Sequence, residues 1–263
     1  MVINELQEEQ SAVRLEENST AQRHPIGDVS QADVAQADVA QAHPEKHATA
    51  PDIAPSTAAT RIVLEGISWE TYERLLAETG EHRHQRFTYC DGFLEIMVPL
   101  EQHEEPTRLF EHFLAVFIDV LELELRSLGS LTMKNPGQQK GLEPDGCFYI
   151  QNEAVVRGVE TLDFEIHPPP DLAVEVDNSH GSLNKFPIYA ALKIPEIWRL
   201  RRGILTIYQL NAEQTDYQET STSLAFPQMP VLELPQFMER AKTIGQRSAV
   251  RELASRVKEI LAT

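Results

Sequence analysis

The sequence is poor in cysteine, in basic charge and in long apolar runs, and each shortage closes off a class of protein. Its two cysteines, Cys90 and Cys147, lie far apart, with neither metal-ligand spacing nor the close intervals of a disulfide framework. Both read as reduced core thiols. No apolar run approaches bilayer length, and the N-terminus lacks a positively charged region followed by a hydrophobic one. These absences read as a cytoplasmic protein with no membrane partner. Lys and Arg number 23 against 41 Asp and Glu, for a net charge of −18. Such a chain repels bulk nucleic acid, so any nucleic-acid function has to work through a local site, a metal ion or a partner.

Residues 1–60 contain no Phe, Trp or Tyr and carry the near-repeat QADVAQADVAQA (Gln31–Ala42). Ten acidic residues there face three basic ones, which accounts for seven of the 18 net negative charges and leaves eleven on residues 61–263. That composition predicts a disordered acidic tail over 1–60, because too little apolar surface is present to offset ordering entropy. The remainder, in a chain that is 41% hydrophobic, has enough apolar content for a core. We read it as a folded domain over 61–240 followed by a C-terminal helix over 241–263.

Order is expected to begin near Arg61. ISWETYERLLAETG places Ser68 as N-cap, Trp69, Tyr72, Leu75 and Leu76 at helical spacing, and Gly80 as the stop. RFTYCDGFLEIMVP alternates on both sides of Asp91-Gly92, a strong hairpin signal. From His103 to about Leu128 a stripe of Leu109, Phe113, Val116, Phe117, Val120 and Leu121 predicts the main buried helix. Strands are expected around Leu131–Lys134 and Gly146–Ile150, on either side of the loop NPGQQKGLEPD. After the Pro-rich break His167–Pro170 come a strand (PDLAVEVD), a helix (GSLNKFPIYAALKIP), a strand pair turning at Gly203, and the terminal helix RAKTIGQRSAVRELASRVKEILA. This order suits an α/β domain, a mixed β-sheet flanked by α-helices.

PDLAVEVD poses the chemical question. Alternation sets Leu172, Val174 and Val176 on one face and Ala173, Glu175 and Asp177 on the other. A charge in such a strand is costly unless it is paired or binds a cation. Asp145, after Pro144, and Glu175 lie at strand ends, and Lys185 follows. Two carboxylates to hold magnesium and a lysine to orient a water or offset transition-state charge are the parts that metal-assisted phosphodiester cleavage requires. Two acids side by side with no metal are expected to repel one another, so that neutralising either leaves stability equal or higher.

LEPDGCFYI, PPPDLAVEVDNSHGSLNKFPIYAALKIPEIWRL and GILTIYQL, with the upstream YCDGFLEIMVPLEQHE, resemble the Uma-two family of "putative restriction endonucleases", a branch of the PD-(D/E)XK nuclease superfamily. The resemblance runs from about Ile67 to Phe237. It implies a restriction-endonuclease-like fold and magnesium-dependent DNA hydrolysis, with Mn2+ as a substitute metal and DNA as the substrate. It implies Asp145 and Glu175 as metal ligands and Lys185 as the catalytic lysine, with Tyr189 one helical turn further on. The superfamily's usual spacing would put the lysine at position 177, where this chain has Asp177. His103 matches a family position as an accessory group, and a homodimer with one site per DNA strand is in keeping with the family.

Blander readings stand beside these. Pro-Asp-Gly around Asp145 is a common turn, and Lys185 reads equally as a solvated lysine at a helix start. Asp177 is either a third acid of the site or the first residue of a turn. His103 also suits a plain helix entry, and RLRR (Arg199–Arg202) either touches phosphate or is the solvated end of a hairpin. The adjacent residues of DNSH do not make a Ser-His-Asp triad, which is assembled from distant segments. The terminal helix either docks on its own domain or mediates dimerisation. If Lys185 is not the lysine, Lys134 and Lys140 are next. The rival to the nuclease is a non-catalytic binding or regulatory protein on the same fold, which the acidic charge and the displaced lysine favour.

Overall fold

The structure is a computed structural model and describes residues 60–80, 83–99, 101–177 and 183–262. The tail expected over 1–60 lies outside these residues except for Thr60. The chain opens with strand β1 (Thr60–Leu64) and helix α1 (Trp69–Thr79). Ser68 caps α1 by accepting a hydrogen bond from the Thr71 N–H, and Gly80 at φ 69° ends it. Strands β2 (Arg86–Cys90) and β3 (Phe93–Val98) form the expected hairpin. Asp91 and Gly92 both take positive φ at its two-residue turn.

Helix α2 (Glu101–Leu121) stops seven residues before the sequence pattern does. Glu122 turns to φ 53°, and Arg126–Gly129 become strand β4 instead of continuing the helix. Short strands β5 (Met133–Asn135) and β6 (Lys140–Leu142) precede β7 (Gly146–Tyr149) and the single-turn helix α3 (Glu153–Val156). Then come β8 (Leu172–Asp177), α4 (Phe186–Ala191), β9 (Glu196–Arg201), β10 (Ile204–Leu210) and β11 (Tyr217–Thr220). The C-terminal segment is two helices, α5 (Leu234–Ile244) and α6 (Gln246–Leu261), broken at Gly245 with φ 86°.

The α/β architecture is present, with its strands divided between two sheets. One has the order β1-β3-β2-β6-β5 and is antiparallel throughout. The other has the order β11-β10-β9-β8-β7-β4, and its one parallel pair among the described residues is β8 with β9. A parallel pair needs a crossover, and the segment containing α4 supplies it. Glu143, Pro144 and Asp145 link β6 of the first sheet to β7 of the second.

β8 is central in its sheet and buried on both faces. Leu172, Val174 and Val176 pack in a core with Phe110, Phe113 and Phe117 of α2 and with Leu253 and Val257 of α6. The terminal helix therefore docks on its own domain. Ala173, on the opposite face, packs with Ile188 and Tyr189 of α4 and Ile197 of β9. A third cluster of Tyr72, Phe87, Tyr89 and Leu94 fixes α1 on the first sheet, with the Tyr72 and Tyr89 rings stacked at 4.9 Å. Both cysteines are free thiols, and burial pushes Cys147 up to about 12, which makes it inert.

Candidate active site

Antiparallel pairing of β7 with β8 matches Gly146 to Val174, and one further step of that register sets Asp145 opposite Glu175. Two residues 30 positions apart thus meet side by side at the ends of neighbouring strands. Asp145 is buried, and its Oδ2 accepts the Val176 N–H at 2.6 Å. Its Oδ1 is ion-paired with Arg86, the first residue of β2, so the Asp145 carboxylate ties the two sheets together.

Glu175 is also buried, and it faces the α4 side of β8 as strand alternation requires. Lys185, immediately before α4, places its Nζ 2.9 and 2.7 Å from the two carboxylate oxygens. Tyr189 donates its hydroxyl to Glu175 Oε1. The two partners are four residues apart, and a single helical turn presents both to one acid. Burial and the charge of Glu175 push the Tyr189 phenol well above its usual range, so it remains a proton donor.

Asp145, Glu175, Asp177, Lys185, Tyr189 and Arg199 line one cleft of about 230 Å³. Asp177 is the last residue of β8, the residues that follow it lie outside the described ones, and Arg199 Nη2 lies 2.7 Å from its Oδ2. His103 lies near the start of α2, outside the described side chains. Lys134 pairs with Glu73 at 2.9 Å and Lys140 with Asp91 at 3.2 Å, and neither lines the cleft.

A sequence model of the Uma2 family, described as "Putative restriction endonuclease", matches residues 69–241. The chain belongs to this family. A search of curated proteins gave no match. The family match covers every described residue that lines the cleft except Arg61. Among the described residues, no helix is long and apolar enough to cross a membrane.

The expectation of two self-repelling acids is corrected by the geometry. Asp145 is neutralised by Arg86 and Glu175 by Lys185. Removing either carboxylate leaves a cation short of its partner, and this destabilises rather than relieves. Three cleft partners had no place in the sequence reading. Arg86 holds Asp145. Glu95, buried in β3, accepts the Leu183 N–H at 3.1 Å and so anchors the segment leading to Lys185. Arg61 stands 3.6 Å from Glu95. The signal was present in LEIM, where Glu95 sits between apolar neighbours as Glu175 does in AVEV.

Among the described residues no group of three or more His, Cys, Asp and Glu side chains is arranged to hold a metal ion. The two acids of the cleft nonetheless suit a hard cation. Both are oxygen donors of fixed orientation, and a carboxylate with two or three partners retains accepting capacity. Magnesium keeps several waters and takes only one or two protein carboxylates, which two acids satisfy.

Proposed function

We propose that the protein is a magnesium-dependent DNA endonuclease that hydrolyses phosphodiesters at the Asp145–Glu175–Lys185 cleft. The observation that supports this reading is the convergence of two buried carboxylates, one from β8 and one from the residue that leads into β7, and a lysine on one opening. Asp145 and Glu175 would hold the ion, with Mn2+ as a substitute. When bound, it would polarise the phosphate and lower the pKa of an attacking water.

The remaining work falls to the chain's own groups. Arg86 and the Val176 N–H fix the Asp145 carboxylate, and Tyr189 fixes that of Glu175. Lys185 directs a water or offsets charge on the phosphate. Asp177 and His103 are accessory groups, and a homodimer would offer one site to each DNA strand.

The neutral pairing of both acids favours a second reading, a non-catalytic binding or regulatory protein on this fold. Incubation with double-stranded DNA separates the two. The nuclease reading expects magnesium-dependent cleavage by the wild type and none by Lys185→Ala, which still binds metal. Absence of magnesium-dependent cleavage of any DNA or RNA by the wild type would select the binding reading. Full-rate cleavage by Lys185→Ala would reject the role of this lysine.

A further inference from the structure

Parallel pairing sets Arg199 of β9 beside Glu175 of β8, and Arg199 lines the same cleft as Asp145 and Lys185. Its side chain is 29% exposed against 17% for Lys185, so it reaches both the cleft and the solvent from which a ligand would arrive. Its contact with Asp177 is made through Nη2. A guanidinium carries five N–H donors in a planar fork, and this contact leaves most of them for another acceptor. Arg201, two residues on along the same face of β9, has its Nε 3.9 Å from the same Asp177 oxygen. If Arg199 turns toward an anion, Asp177 therefore keeps a counter-charge.

We infer that Arg199 is the phosphate-holding residue of the cleft, an assignment that rests on the nuclease reading above. Two non-bridging phosphate oxygens match the guanidinium fork, which a lysine cannot reproduce. In a chain of net charge −18 the contact supplies the local attraction that the overall charge withholds. The handover of Asp177 from Arg199 to Arg201 lets a half-buried acid stay paired while the arginine engages the strand. The spacing Arg199-Leu200-Arg201 on an alternating strand provides for this, since both arginines face one way and Leu200 enters the core.

The test is fluorescence anisotropy with a short double-stranded oligonucleotide, with calcium in place of magnesium, across a series of KCl concentrations. Arg199→Gln should weaken binding roughly tenfold and make the slope of log affinity against log salt shallower by about one, as loss of one phosphate contact does. Arg199→Lys should restore the slope but only part of the affinity, because it keeps the charge and loses the fork. Lys242→Gln removes the same charge from an exposed position on α5 and should leave both quantities unchanged. Manganese calorimetry on Arg199→Gln should show that the two acids still bind metal. If that variant does not fold, Arg199→Lys carries the test alone, with reduced affinity expected at an unchanged slope.

Arg199→Gln binding with wild-type affinity and slope, or Arg199→Lys binding with wild-type affinity, would overturn the assignment. Failure of the nuclease reading looks different, namely a wild type that binds DNA and cleaves none with magnesium. A wild type that binds no DNA at low salt overturns both.

Discussion

Glu175 and Glu196 are buried carboxylates on neighbouring strands of one sheet, yet their charges are compensated in different ways. Glu196, at the start of β9, is fully buried and accepts hydrogen bonds from Ser223 Oγ at 2.6 Å, from the Ala225 N–H at 3.2 Å, from the Leu224 N–H and from the Trp198 indole. All are neutral donors held by the backbone or the core, and no cation is paired with Glu196 among the described residues. Glu175 has a lysine ammonium and a phenol, and it opens on a cleft. Asp171 belongs with Glu196, since the N–H groups of Ile150 and Asn152 hold it at 2.7 and 2.9 Å. Fixed neutral donors bind a segment permanently, whereas a long-chain ammonium is able to leave. Burial of a carboxylate therefore does not mark a site by itself; the kind of partner does.

The two glutamates separate most sharply when each loses its charge, by an amide at Glu175 and by truncation at Glu196. Glu175→Gln should lower magnesium-dependent DNA cleavage by roughly a thousandfold or more, about 4 kcal/mol of transition-state stabilisation. Its unfolding free energy in urea should fall by only about 1 kcal/mol, because Lys185 loses its counter-charge while the amide oxygen still accepts from it. Glu196→Ala should do the reverse. It strands several donors in the interior and should cost about 3 kcal/mol of unfolding free energy in urea titration, with manganese affinity unchanged. Equal stability losses at the two positions would dissolve the distinction.

A smaller effect tests whether Lys185 is a removable partner. Lys185→Met takes away the cation seated on Glu175, so manganese affinity in calorimetry should rise roughly tenfold as cleavage is lost. Unchanged or weaker affinity would mean that the lysine does not compete for the acid. The smallest change is expected from Tyr189→Phe, which removes one donor from Glu175. It should cost about 1 kcal/mol in stability and leave manganese binding within a fewfold of wild type.

Much of this was legible in the sequence where local chemistry decides structure. Ser68 and Gly80 bracket α1, Asp91-Gly92 turns the β2–β3 hairpin, and alternation in PDLAVEVD orients Glu175 toward the α4 side of the sheet. The four-residue spacing of Lys185 and Tyr189 also matches what reaches Glu175. Elements defined by distant partners were not legible. Leu123 and Leu125 continue an apolar pattern past the end of α2, and only pairing with β7 makes Arg126–Gly129 a strand. β6 is three residues inside a loop, held by Cys90 and Asn135 on either side. Gly245 splits what periodicity reads as one helix, because a single glycine is tolerated in a helical pattern until its φ turns positive. In the cleft, Arg86 and Glu95 come from the first sheet, far from Asp145 and Leu183 in the chain, so a buried charge announces a partner without naming it.

A cation site at the two acids of the cleft requires the lysine partner of Glu175 to yield. The most direct measurement is anomalous diffraction from a crystal soaked in manganese. The expected result is a peak at the Asp145 and Glu175 carboxylates, with Lys185 Nζ withdrawn from Glu175. A manganese-soaked crystal with no peak at these acids, and with Lys185 still seated on both Glu175 oxygens, would contradict it.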